Sequence, residues 1–151
     1  MPPPLATLSW TEPDAGGSVR QDLDSAADLI EAVNARYRSP IPVIGRITRA
    51  AGDSLLIGLG RPFLATSIDD EEFTATSDDR TFIAYEAPDA RPPYLSARTD
   101  QPGNDDLVWF ADGSWTEIPA RSGLALSHGL EIVLEFLVRD GLPTRASWGE
   151  D

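Results

Sequence analysis

Apolar positions along this chain follow two rhythms. From Asp24 to Arg38 they recur at helical spacing, with Ala26, Ile30, Val33 and Tyr37 on one face. Asp24 or Ser25 suits the N-cap, and Arg36 and Arg38 suit the negative end of the dipole. Pro40 forbids a further turn. The spacing predicts a second helix over LSHGLEIVLEFLVRDG, with Ser127 as N-cap and Gly141 as C-cap before Pro143. Its stripe is Leu126, Leu130, Val133, Leu134 and Leu137, yet Ile132 and Phe136 fall outside it. A helix with more apolar positions than one face holds is covered on more than one side.

The other rhythm is that of strands. LATLSW (5–10) reads as a first strand, followed by the loop TEPDAGGS. IPVIGRITRA and SLLIGLG read as two strands joined by AAGD, where Gly52 can take a positive φ. TFIAYE and YLSAR are shorter strands on either side of the proline-rich APDARPP. In DLVWFADGSWTEIP, two β-rich runs flank Asp112-Gly113, the pair a two-residue type I′ hairpin prefers. Whether Trp109 and Trp115 share a face depends on the pairing register. TRASWGE supplies a last short strand. Strands joined as hairpins, with a helix near each end, predict an α+β domain: a mostly antiparallel β-sheet with two main α-helices packed on it.

Composition narrows what such a domain does. The 151 residues fit one domain over 1–151. No cysteine is present, which excludes disulfides, thiolate nucleophiles and Cys-ligated zinc, and His128 is the one histidine. No cofactor or metal is implied. No apolar run approaches the roughly 20 residues that span a bilayer, and MPPPLATLSW lacks a signal peptide's positive start. A cytoplasmic location is the simplest expectation. The net charge of −13, from 25 acids against 12 arginines and no lysine, repels nucleic acid and anionic lipid and favours a basic partner.

The densest charge is SIDDEEFTATSDDR, where Asp69, Asp70, Glu71, Glu72, Asp78 and Asp79 precede Arg80. A calcium loop needs acids at alternating positions, a central glycine and a closing glutamate, and this run lacks that pattern. A solvated loop and a surface for a positive partner both stay open. His128 beside Ser127, with Ser122 nearby, invites a nucleophile triad, but Ser127 is expected to cap and His128 to sit exposed at a helix start. GLGRP lacks the spacing of a phosphate loop. Glu86 and Glu117 would form a catalytic carboxylate pair only if the fold joined them. A small acidic enzyme or ligand-binding domain, with Glu86, Glu117 or Arg121 round a pocket, is the alternative class.

The order SLLIGLG, YLSAR, LVWFADGSWTEIPARS and EFLVRDGLPTRASW resembles the family numbered one among immunity proteins of bacterial polymorphic toxin systems. The residues carrying it are Gly58 and Gly60, Trp115, Glu117 with Pro119, Phe136 within Glu135–Leu137, Gly141, Pro143 and Trp148. The likeness runs from about Leu5 to Gly149 and implies an α+β fold, with those motif residues as framework. It also implies a protein encoded beside a toxin, binding its effector domain, most often a nucleic-acid or nucleotide deaminase; a nuclease target is the alternative. The partner would be that toxin domain, with a basic active-site face, and not nucleic acid or membrane. In the family the GLG turn runs fairly directly into a strand like TFIAYE. Here residues 61–79 intervene, so the acidic run reads as an insertion specific to this chain.

Overall fold

The computed structural model describes residues 5–12, 17–37, 41–65, 80–87, 94–100, 105–111, 114–139 and 141–149. The acidic residues 69–79 and the turn at 112–113 lie outside them. In chain order the elements are β1 Ala6–Thr11, β2 Ser18–Leu23, α1 Ala26–Tyr37, β3 Val43–Arg49, β4 Ser54–Leu59, β5 Phe63–Leu64, β6 Arg80–Thr81 and β7 Ile83–Glu86. They continue with β8 Tyr94–Arg98, β9 Leu107–Ala111, β10 Ser114–Ile118, β11 Leu124–Ala125, α2 Leu126–Val138 and β12 Ser147–Gly149. The architecture is α+β, as the two rhythms predict.

The main sheet runs β10-β9-β3-β4-β7-β8-β12 and forks at β3. One edge of β3 pairs with β4. The other edge is shared: residues 46–49 take β1, while Val43 pairs in parallel with Phe110 of β9. Strand β2 lies outside β1, and β11 and β6 form a separate two-stranded ribbon. Period-two alternation explains the layers. Val43, Ile47, Leu55, Ile57, Leu59, Ile83 and Tyr85 face the helices, joining Leu29, Val33, Ile132, Val133 and Phe136 in the main core. On the other face Trp109, Phe82, Ala84 and Leu107 make a second, smaller cluster.

Several local expectations change. Ser25 is the α1 cap, its hydroxyl accepting the Asp28 amide proton at 3.3 Å, while the Asp28 carboxylate accepts from the Asp24 amide. α2 has Ala125 as its N-cap with no side-chain cap bond, so Ser127 lies inside the helix: β11 runs straight into it. The helix stops at Val138, and Gly141 sits two residues past the Arg139 cap at φ 81°. Residues 18–23, beyond the loop and without a strand signal, form β2, because the chain turns back along β1. Strands β5 and β11, two residues each, are equally unsignalled.

The hairpin register answers the tryptophan question. Trp115 pairs with Phe110 and Thr116 with Trp109, so the two indoles point to opposite faces. Ser114 pairs with Ala111, so two residues join the strands. Trp109 is fully buried over Gly58, where an added Cβ would stand 2.5 Å from the indole. Trp115 is half-buried, edge-on to Phe110 and Phe63.

Each helix buries only part of the predicted face, Val33 on α1 and Val133 and Leu137 on α2, together with residues beyond it. α1 turns Leu29, Ala32, Val33 and Arg36 inward and leaves Ala26 and Ile30 exposed. α2 buries Gly129, Ile132, Val133, Phe136 and Leu137, so Leu126, Leu130 and Leu134 lie at the margin, half-buried. Phe136, off the predicted stripe, is central: Tyr85 meets its ring and the Arg49 guanidinium lies over it.

Candidate functional site

The end of α2 is built from one arginine and one glutamate. Arg49 leaves β3 where the chain turns towards β4, and its Nε donates to Asp53 Oδ1 at 2.9 Å, with Nη2 donating to the other carboxylate oxygen. Its remaining protons reach the carbonyls of Phe136 (2.8 Å), Arg139 and Gly141 (3.1 Å). A helix ends with carbonyls that have no intrahelical donor, and a cation there also meets the negative end of the dipole. Tyr85 adds an O–H donor to Asp53 at 2.7 Å. Burial pushes the Asp53 carboxyl up, but the bonds from Arg49 and Tyr85 outweigh it and hold it below its ordinary value. Burial and the same bond push the Tyr85 phenol up.

Glu135 ties the chain beyond α2 back onto the helix. Its carboxylate accepts from the Thr144 amide (2.8 and 2.9 Å), the Thr144 hydroxyl (2.9 Å) and the Arg145 amide (3.0 Å). Burial alone would raise its pKa; those donors and the nearby Arg139 charge lower it. His128, partly exposed in the first turn of α2, donates from Nε2 to the Arg145 carbonyl at 2.7 Å and so tethers this segment to the helix. Trp148 donates to the Pro143 carbonyl at 2.8 Å and stands edge-on to Tyr85. At Gly60, with φ 89°, an added Cβ would press on Pro42 and the Arg36 carbonyl, and the Gly60 carbonyl accepts from Trp109. Pro119 opens a short 3-10 turn.

The carboxylates proposed as a pair are not brought together. Glu86 pairs with Arg46 on the face away from the helices, while Glu117 is exposed on β10 and points to the other face. Four strand spacings separate β7 from β10, roughly 19 Å. Among the described residues no group of three or more His, Cys, Asp or Glu side chains is placed to share a metal ion. No helix among them is long and apolar enough to cross a membrane.

Three surfaces remain. The face opposite the helices carries the Trp109 cluster and is polar only near the fork, where Thr7, Ser9, Arg20, Arg46 and Thr48 line it. The Phe63–Phe110–Trp115 group is apolar, but its half-buried rings pack on one another. The third is a groove of about 570 Å³ beside α2, where Leu5, Ala26, Leu134 and Val138 line it with Glu131, Arg139 and Arg145 at the rim. Val138 is 74% exposed and Leu5 42%.

The chain matches a family model over nearly its whole length. The model for Immunity protein Imm1 matches residues 15–150. The chain belongs to that family. No curated protein matches it. As an Imm1 member it is an immunity protein, and its partner is a toxin. Gly58, Gly60, Phe136, Gly141, Pro143 and Trp148 all contact the two cores or the clamp at the end of α2, and Trp115 closes the β9–β10 edge. The groove was missed in the sequence because Ala26 and Ile30 read as the buried face of α1. The signal for it was the excess of leucines on α2.

Proposed function

We propose that this immunity protein binds a cognate polymorphic-toxin effector domain of the nucleic-acid or nucleotide deaminase kind, in the cytoplasm of the producing cell, and covers its active site. The distribution of charge carries this reading. The chain carries 25 acids against 12 arginines, a net charge of −13. The densest run of acids holds Asp69, Asp70, Glu71, Glu72, Asp78 and Asp79, with no base among them. A deaminase holds a polyanion and draws a base into its pocket, so the rim of that pocket is basic. A strongly acidic chain complements such a rim and raises the association rate, which matters when a toxin must be captured before it turns over.

The test is co-expression with the toxin domain encoded beside this chain, scored by growth and by deamination of single-stranded nucleic acid. Restored growth together with loss of deamination supports the reading. A toxin domain that cleaves nucleic acid and never deaminates would move the target to a nuclease. Failure of both rescue and complex formation would end it.

A further inference from the structure

β10 and β12 end the main run of the sheet, and β2 ends the branch that leaves β3 through β1. β12 has three residues, and β10, SWTEI, carries one acid and no base. β2 differs. Its six residues, Ser18–Leu23, pair with β1 along one side, and no described strand takes the other. Such an edge is a template for another strand, and proteins blunt it with proline, a bulge, a covering element or repelling charge. β2 holds no proline, and its register with β1 runs unbroken from Ala6↔Leu23 to Thr11↔Ser18.

The ladder determines which of its backbone groups point outward. The Glu12 amide donates to the Gly17 carbonyl at 2.9 Å, which makes Trp10↔Val19, Leu8↔Gln21 and Ala6↔Leu23 the hydrogen-bonded pairs. The Arg49 amide, donating to Asp53 at 3.0 Å, sets the same phase through β3. The N–H and C=O groups of Ser18, Arg20 and Asp22 therefore point away from β1. The side chains of all three are exposed.

Two β2 strands brought together antiparallel about a two-fold axis set these groups against one another. With the axis at Gln21, Arg20 of each copy lies opposite Asp22 of the other, and Val19 of each opposite Leu23 of the other. The Asp24 amide is already bonded to Asp28, so the pairing stops short of α1. Moving the axis one residue either way keeps the amides in phase but sets Arg20 against Arg20, or Asp22 against Asp22. Opposite charges directly across a strand pair stabilise it and like charges destabilise it. Charges that protect an edge by repulsion thus select one pairing here. We infer that β2 is a homodimerisation edge, to which a second copy of this chain adds its own β2 with Gln21 on the axis. This goes beyond the immunity reading and holds whichever toxin the protein binds. A strand pair alone buries less than a standard interface, so the dimer is a weak one. Two chains of net charge −13 also repel at long range, so it forms where salt screens them.

Sedimentation equilibrium of the full chain at physiological ionic strength, from micromolar to millimolar concentration, is the test. The variants are Arg20→Glu, Asp22→Arg, and Arg20→Asp combined with Asp22→Arg, with thermal unfolding recorded for each. The wild type should pass from monomer to dimer over this range. Either single variant should raise the dimer Kd about tenfold or more, and the charge-swapped double variant should return it close to the wild type. Mixing the two single variants should restore a dimer, because each then meets opposite charge. A wild type that stays monomeric throughout would overturn the inference. So would a dimer that the folded single variants leave unchanged, or one that the folded double variant fails to restore. A monomeric wild type whose toxin binding is weakened by both single variants would give the edge to a toxin strand and end the self-pairing.

Discussion

The last turns of α2 meet two environments, one closed within the chain and one open. On one side Phe136 is buried, Arg49 reaches three carbonyls of the helix end, and Glu135 accepts four hydrogen bonds from Thr144 and Arg145. On the other, Leu134 and Val138 line a groove with nothing among the described residues closing it. Side chains a turn apart thus divide into those buried in the fold and those left exposed. The division is physical. A buried carboxylate must be satisfied by donors, so its surroundings are completed within the chain. An exposed valine costs little in the free protein and gains only when another surface removes it from water.

The contrast breaks first on the locked side. Arg49→Met removes the cation from a buried pair and strands both Asp53 and the helix-end carbonyls, which should lower stability by about 3–5 kcal/mol. Urea unfolding measures it, and a loss below about 1 kcal/mol would show that the clamp is ornamental. Glu135→Gln is next, at about 1.5–3 kcal/mol at neutral pH for hydrogen bonds to a charged acceptor. It has a pH signature as well. Glu135 and Asp53 both have folded pKa values below their ordinary ones. Their contribution is complete above the ordinary carboxylate range and is lost as pH falls through the folded values. Stability of the wild type should therefore decline on acidification, and Glu135→Gln should flatten that decline in melts recorded between neutral pH and pH of about 2.

On the open side the effects on stability should nearly vanish. Val138→Lys should change unfolding free energy by no more than about 0.5 kcal/mol in the same urea measurement. The smallest change belongs to the acidic run. Reversing Asp69, Asp70, Glu71 and Glu72 to arginine should leave the melting temperature in place and slow toxin association at low salt, with the difference shrinking as salt rises. An unchanged on-rate at low salt would show the run to be a solvated loop.

Much of the framework was legible because its signals are local. The strand pair either side of Gly52, the two-residue connection between Ala111 and Ser114, and the existence of both helices follow from periodicity and turn chemistry. The missed features depend on tertiary neighbours. β2, SVRQDL, has no apolar alternation to announce it; it forms because β1 offers an edge. Ile30 and Val33 look equivalent in a helical repeat, and only the placement of α1 on the sheet exposes one and buries the other. The expected Ser127 cap failed for the same reason, since β11 already delivers the chain into the helix. The groove was present in the sequence as surplus: α2 holds more apolar positions than one face needs.

The division between the closed and open sides of α2 is tested most directly by amide hydrogen exchange of the wild type, Glu135→Gln and Val138→Lys. The account predicts that the Thr144 and Arg145 amides, bonded to the Glu135 carboxylate, exchange faster in Glu135→Gln and at the wild-type rate in Val138→Lys. Equal acceleration in both variants, or none in either, would contradict it.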